Sequence, residues 1–476
     1  MASKTILINP VTRIEGHAKI TIHLDARGEV DDARFHVVEF RGFEKFCEGR
    51  HFCEMPSITA RTCGICPVSH LLASAKACDA IVGREIPRAA KLLRELMHMG
   101  QIIQSHALSF FHLSAPDLLL GYDADPAVRN IVGVVAKTPD IAVKGVLLRK
   151  FGQEMIKLVA GRKIHADFPV PGGVNKPLTV EQRDTLLRGM PQAFEQARFA
   201  LDLLKDYHAK HHDEVEDFGR FDSNYLGLVQ PDGALELYDG NLRFCNTHGE
   251  VIYDQIPPSQ YLDYIGEAVE PWSYMKFPFI AKLGYPNGFY RVGPLARLNL
   301  CSHISTPLAN AELKLWREKR RVQSSSFYYH WARLIELIYA LERAQQLLED
   351  REITSTDLLV PNQPQNTVGI GVVEAPRGTL IHHYRVNKDG RVERVNLIVS
   401  TGHNNLAMNK GVFQVARKYV KAKRLKEGML NRVEALIRCY DPCLSCATHA
   451  IGKMPMAVEL VDADGTVLDT AQRGVA

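Results

Sequence analysis

Two Cys-x-x-Cys pairs lie near opposite ends of this chain, Cys63-Gly64-Ile65-Cys66 and Cys443-Leu444-Ser445-Cys446, and each is followed by a histidine, His70 and His449. The two sulfurs of such a pair can converge on one point while the backbone between them turns, so two pairs make a four-sulfur metal set. Cys63 and Cys443 are 380 residues apart, whereas a structural zinc module carries its second pair within roughly 20 residues of the first. A site that joins both ends of a chain must sit inside the finished fold. On the bare pairs alone, structural zinc is the leading reading.

The other six cysteines, Cys47, Cys53, Cys78, Cys245, Cys301 and Cys439, are scattered without a ferredoxin-type run, and they read as inert packed thiols. The 58 basic and 54 acidic residues leave a net charge of +4, too weak a field to argue for nucleic acid or an anionic membrane. The N-terminus lacks a signal-peptide core and no run approaches the roughly 18 apolar residues of a membrane span. These features predict a cytoplasmic protein with free thiols and no direct membrane insertion.

The elements that must bring the pairs together can be read from periodicity. The first 40 residues alternate as strands, Thr5 to Ile8, Ile20 to Leu24, and Phe35 to Phe40 after an acidic turn. From Pro87 the spacing of Leu92, Leu96, Met99 and Ile103 predicts a long helix, and similar periodicity fills Val180 to His212, Phe327 to Leu348 and Val412 to Cys439. Hairpin signals surround Gly249 and Asp389-Gly390. The expectation is an α+β, helix-dominated fold, a long-helix bundle with small flanking antiparallel sheets. Residues 1–449 would form a single domain, because the two pairs must meet.

The pairs sit in longer patterns, Arg61-Thr62-Cys63-Gly64-Ile65-Cys66-Pro67-Val68-Ser69-His70 and Asp441-Pro442-Cys443-Leu444-Ser445-Cys446-Ala447-Thr448-His449. These resemble the two signatures of the large subunit of nickel–iron hydrogenases. Arg13-Ile14-Glu15-Gly16-His17, Arg41-Gly42-Phe43-Glu44 and Glu374-Ala375-Pro376-Arg377-Gly378 match further blocks of that family in the expected order. The segments 38–46, 170–175 and 272–278 look most like the cytoplasmic NAD-reducing branch, with the branch that feeds heterodisulfide reductase close behind.

The resemblance implies that Cys63 and Cys443 are terminal ligands of nickel, and that Cys66 and Cys446 bridge nickel to an iron carrying carbon monoxide and cyanide. It implies Cys443 as the base that receives a proton from split hydrogen and Glu15 as the carboxylate that carries it away. Read from sequence alone, Glu15 would be a salt-bridge partner of Arg13 or a surface strand residue. By the same resemblance Arg377 extends over the small anionic iron ligands, Asp117 approaches the site, His70 orients a cysteine sulfur, and Glu44 and His449 hold a magnesium-like ion, with a carbonyl near Asn405 or Leu406.

Gly369-Ile370-Gly371-Val372-Val373-Glu374 lacks the third glycine of a dinucleotide fingerprint. The chain is therefore not expected to bind NAD itself. Electrons from hydrogen would leave through an iron–sulfur small subunit, and onward through diaphorase-type flavin and iron–sulfur subunits. The family also implies a maturation endopeptidase, so residues 450–476 are expected to be a C-terminal extension removed after His449. Two other readings stand beside this one. They are a zinc-stabilised scaffold, and a non-catalytic homologue such as the quinone-site subunit of respiratory complexes, which has lost cysteines.

Overall fold

A computed structural model describes residues 4–421, 425–450, 456–463 and 466–473. Near the N-terminus, β1 (Lys4–Ile8), β2 (Ala18–Leu24) and β3 (Val30–Val37) form an antiparallel meander. Along β2 every second residue, Ala18, Ile20, Ile22 and Leu24, is buried, the period-2 pattern of a sheet with one covered face. The third strand begins earlier than the expected Phe35 and ends before Phe40. Its turn is made by Asp25, whose carboxylate accepts the Arg27 and Glu29 amides at 2.9 Å each. Asp31 and Asp32 therefore fall inside the strand, while Val38 and Phe40 are exposed beyond it.

The helical part starts at the first cysteine pair. Cys66 is the N-cap of α1 (Pro67–Val82), and Pro67 at the first position needs no intrahelical partner for an amide. Helix α2 (Arg88–Leu108) follows Pro87 and passes through a π-helical turn, Ser109–Ser114, into α3 (Ala115–Leu120). Pro116 lacks the amide that would continue a regular α ladder, which marks where the pattern loosens. Helices α4 (Pro139–Ala160), α5 (Val180–Lys210) and α6 (Tyr328–Glu349) complete the long bundle. Between them β4 (Asn224–Val229), β5 (Asn241–Cys245) and β6 (Val251–Ile256) form a sheet with Tyr290–Arg291 at its edge, and β5 and β6 flank the expected hairpin at Gly249.

A third sheet, β7 (Val368–Ala375), β8 (Gly378–Val386) and β9 (Val392–Ile398), lies against α1. The Gly-x-Gly of β7 belongs to that contact. A Cβ on Gly369 would sit 2.0 Å from the Ala77 carbonyl oxygen, and one on Gly371 would sit 2.0 Å from that of Ala73. These glycines let a strand lie directly on the helix that begins at Cys66.

The run expected as one helix over Val412–Cys439 is two, α7 (Asn405–Tyr419) and α8 (Glu427–Tyr440). Val420 turns extended, and the like charges of Lys421, Lys423, Arg424 and Lys426 disfavour continuing the helix there. Helix α8 stops at Asp441, which adopts φ 52° ahead of Pro442 and delivers the chain to the second cysteine pair. One buried cluster runs from Ile8 to Ala447 and takes in all four cysteines of the two pairs. Past it, Met456–Val461 and Val467–Arg473 pair as antiparallel strands.

Among the described residues no helix is long and apolar enough to cross a membrane. Gly371→Ala is expected to lower stability by about 1–3 kcal/mol, the usual cost of overpacking, and to do so without contacting any cysteine. Denaturant midpoints of variant and wild type check this.

Candidate metal centre

The two pairs meet. Their four sulfurs lie within 4.8 Å of one another, all buried. They form a ring, Cys63–Cys443 at 3.3 Å, Cys443–Cys446 at 2.7 Å, Cys446–Cys66 at 3.6 Å and Cys66–Cys63 at 3.1 Å. Each terminal-ligand candidate faces the other, as do the two bridging candidates. The first pair is shaped by the entry to α1, where the amides of Ile65 and Cys66 donate to the Cys63 sulfur at 3.2 and 3.1 Å. The second is shaped by the short helix Leu444–Ala447, whose N-cap is Cys443.

Several groups hold the two halves in register. Glu15 pairs with Cys443 through the backbone, its carbonyl accepting the Leu444 amide at 3.1 Å, while its carboxylate accepts the Ser445 amide at 3.1 Å. Arg41 donates to the Thr62 carbonyl beside one pair and to the Ser445 carbonyl within the other, at 2.6 and 3.3 Å. Thr401 accepts the Cys443 amide at 2.9 Å. Gln101 and Gln104 both donate to the Ile65 carbonyl, and His165 bonds the Cys63 carbonyl.

Protons on so crowded a set are shared unequally. Hydrogen bonds from the Cys443, Cys446 and Cys63 thiols, with one from His70, hold Cys66 well below the usual thiol range. Burial, together with the neighbouring sulfurs, pushes Cys443 and Cys446 well above it. Four thiolates this close and this deeply buried need positive charge among them. A bound cation meets that need, and the donor atoms, all sulfur with no carboxylate or imidazole in the ring, suit a thiophilic metal, zinc or nickel alike.

Arg377 occupies the tip of the two-residue hairpin between β7 and β8, where Ala375 pairs with Gly378. Its Nε donates to the Asp441 carbonyl and its Nη2 to the Asp441 carboxylate at 3.2 Å, and both side chains are almost fully buried. Burial alone would lower its pKa. The Asp441 carboxylate and the nearby Cys66, Cys443 and Cys63 instead hold it well above the ordinary value, so it remains a fixed cation beside the sulfurs. The hairpin itself is clamped by Arg297, which donates to Glu374 at 2.7 Å and to the Ala375 carbonyl at 3.0 Å, with Glu336 on its far side.

His70 stands one helical turn after Cys66 and helps to lower the pKa of its thiol. Its Nδ1 lies 3.1 Å from His382 Nε2, and the chain continues to Tyr384 and Ser74. Glu44 and His449 are joined, Oε1 to Nδ1 at 2.9 Å, and the same oxygen accepts the Leu397 amide at 2.8 Å. Burial would raise the Glu44 pKa, but His449, Lys276 and the Leu397 amide together outweigh it and the net shift is downward. The Asn405 carbonyl accepts the Asn409 amide at 2.9 Å.

Asp117 is held by cations of its own. Its carboxylate bonds Arg13 and Arg438, at 2.5 and 2.8 Å, and the Asn431 amide at 2.9 Å, with Arg129 3.8 Å away. No bond to a cysteine or to Arg377 is found among the described residues. Asp117 staples the loop that carries Glu15 to the helix that ends at Asp441, so it acts on the sulfurs through these two segments. Arg41, Thr401, His165, Asp441 and His382 were not singled out as site residues by sequence reasoning. Asp441 and Arg41 carried a signal, their places in the Asp-Pro-Cys signature and in the Arg41-Gly42-Phe43-Glu44 block.

Known proteins match this arrangement. The nickel-dependent hydrogenase family profile matches residues 41–128 and 244–449, and a HoxL-like profile matches residues 5–40. The NAD-reducing hydrogenase HoxS subunit beta of Cupriavidus necator is 43% identical over 99% of this chain and 100% of the relative. A chain of the F420-non-reducing hydrogenase vhu of Methanocaldococcus jannaschii is 48% identical over 87% of this chain and 98% of its own length. The crystal structure of an NAD+-reducing NiFe-hydrogenase in the H2-reduced state superposes with a TM-score of 0.92 at 46% identity, covering 94% of this chain and 100% of that one. The chain belongs to the nickel-dependent hydrogenase family, as a large subunit with that family's helix-dominated fold.

Asp117→Ala is expected to cost about 3–5 kcal/mol, because it leaves Arg13 without its carboxylate and Arg438 with Glu434 alone. Burial raises the Asp117 pKa, but Arg438 and Arg13 more than offset this and hold it below the ordinary value. Its contribution is therefore present above about pH 4 and is lost as pH falls through the lower folded-state value. Acid unfolding of Asp117→Asn should lack that increment, which paired pH titrations of the two proteins would read.

Proposed function

We propose that this chain splits dihydrogen heterolytically at its four-cysteine centre and passes the electrons to an iron–sulfur partner subunit, and through diaphorase-type flavin and iron–sulfur subunits to NAD(P). The carrying observation is the sulfur ring with Glu15 bound against its second pair. Cys63 and Cys443 would hold nickel, and Cys66 and Cys446 would bridge it to iron. Nickel with an iron carrying carbon monoxide and cyanide supplies, when bound, the site that takes the electron pair of dihydrogen.

The residues of the chain manage the proton and the charge. Cys443 accepts the proton on its sulfur, as the thiolate most closely joined to Glu15 through the backbone. Glu15 receives it next, since its carboxylate is fixed by the Ser445 amide on the same segment. Arg377, held by Asp441, presents a buried cation suited to the cyanides. His70 orients Cys66 while His382 fixes its ring. Glu44 with His449 would hold a magnesium ion.

Electrons have a short way out at Gly64, between the first two cysteines. It is exposed, with nothing within 4 Å of where a side chain would start. The iron–sulfur partner is assigned to that face. NAD linkage rests on the full-length likeness to the Cupriavidus necator protein and to the NAD+-reducing structure. A second reading keeps the same chemistry with another acceptor, the heterodisulfide-linked one that the sequence resemblance also implies, and the likeness to an F420-non-reducing hydrogenase keeps it beside the first. A cytoplasmic location and removal of residues 450–476 by a maturation endopeptidase belong to this reading. Intact-mass measurement on active enzyme tests the latter, since an active chain still carrying Ala450 to Ala476 contradicts it.

Replacing any one of the four cysteines by serine is expected to abolish hydrogen uptake and to lower bound nickel, because a hydroxyl is a poor ligand for a soft metal. Full uptake with normal metal in Cys446→Ser would contradict the assignment. Glu15→Gln is expected to keep nickel and fold while hydrogen–deuterium exchange falls by about 100-fold or more, the usual scale for removing a proton-transfer group.

A further inference from the structure

We infer that Glu39 and His17 form the proton exit that follows Glu15. The observation begins at Gly16, which adopts φ +84°. A Cβ there would lie 2.7 Å from Leu444 Cβ, 3.1 Å from the Ser445 amide nitrogen and 3.2 Å from Glu39 Oε2. The Ser445 amide is the one that Glu15 holds. The missing side chain leaves a notch in which the Glu39 carboxylate approaches the segment that Glu15 grips.

The two oxygens of Glu39 have different surroundings. Oε2 is buried and has no hydrogen-bond partner among the described residues. Oε1 is bonded to His17 Nδ1, and the His17 side chain is 70% exposed. A surface ion pair would account for Oε1 and His17, and such pairs contribute little. It would not account for a second oxygen turned inward and left unsatisfied, since a buried carboxylate oxygen without a donor is costly. Arg41, which reaches the Ser445 carbonyl, is the cation facing this segment, and Glu15, Glu39 and His17 are its titratable groups.

The transfer conserves charge and moves no electrons. Protonated Glu15 gives its proton to Glu39 Oε2 and becomes a carboxylate. The resting His17 ring, which donates from Nδ1 to the Glu39 carboxylate, first exchanges with solvent to its Nε2–H tautomer. Glu39 then turns about its Cγ–Cδ bond and passes the proton to Nδ1, and the imidazolium releases its Nε2 proton to water, which restores the Nδ1–H tautomer against the carboxylate. Each group ends as it began, with one proton delivered outside. The transfer needs only a carboxylate that can turn between the buried segment and an imidazole that reaches solvent.

The test uses the intact enzyme complex with Glu39→Gln and His17→Gln, read by hydrogen–deuterium exchange with nickel content measured alongside. Both variants should retain nickel and an unchanged KM for dihydrogen while exchange slows by about tenfold or more. Imidazole added to the buffer should restore His17→Gln, because a soluble base can take the proton from Glu39; a merely structural role would not respond to it. Wild-type exchange in both variants, or no rescue by imidazole, overturns the inference. If Glu39→Gln loses nickel, the exposed His17 position carries the test alone. The inference rests on Glu15 as proton carrier. Full exchange in Glu15→Gln removes that reading itself, whereas a dead Glu15→Gln beside wild-type Glu39→Gln and His17→Gln removes only the exit.

Discussion

Four sulfurs from positions 380 residues apart must come within 4.8 Å of one another in a buried space. Neither pair can close the ring alone, so the structure is arranged to hold one end of the chain against the other. The first pair is fixed to the start of α1, and β7 seats on that helix through glycines. The second hangs from α8 at a strained Asp441 and is held by Glu15, Thr401 and Arg41. Asp117 completes the closure by joining the Glu15 loop to α8 through two arginines.

Burying this much charge is costly unless each group is paired. The cations around the sulfurs are accordingly tied to carboxylates or carbonyls. Arg377 is held by Asp441, Arg297 by Glu336 and Glu374, and Arg333 by the Cys439 carbonyl. Such a lattice cannot relax easily, because moving one member strands another. A guanidinium held in this way presents its charge at a fixed distance from the sulfurs, which is what preorganised electrostatics requires. The remaining cysteines stay out of the chemistry. Burial pushes Cys47 and Cys439 up to about 12 and Cys245 to about 11, so they remain protonated thiols.

Much of this was legible in the residues. The cysteine pairs, the strands of the first meander, the long helices and both hairpins follow from spacing and periodicity. The tip position of Arg377 follows from Pro376 and Gly378. The pairing of Glu44 with His449 came from matched motifs rather than from pattern. Other features depend on tertiary contact and have no local sign. Gly369 and Gly371 carry no local sign of the helix that lies beneath them. The break between α7 and α8 reflects Val420 and a run of like charges inside an otherwise continuous amphipathic pattern. The partners of Asp117, Arg13 and Arg438, are separated from it by 104 and 321 residues and could not be read from its surroundings in the chain. His382 gave no hint that it would bond His70, because the two meet only when β8 crosses α1.

The central claim is that both ends of the chain build one sulfur-only nickel site. Nickel-edge X-ray absorption on the purified complex tests it most directly, with the Cys446→Ser variant measured beside the wild type. The account predicts nickel whose protein ligands are all sulfur in the wild type, and loss of that signal in the variant. Zinc in place of nickel, or nickel bound through nitrogen and oxygen with an unchanged spectrum in Cys446→Ser, would contradict it.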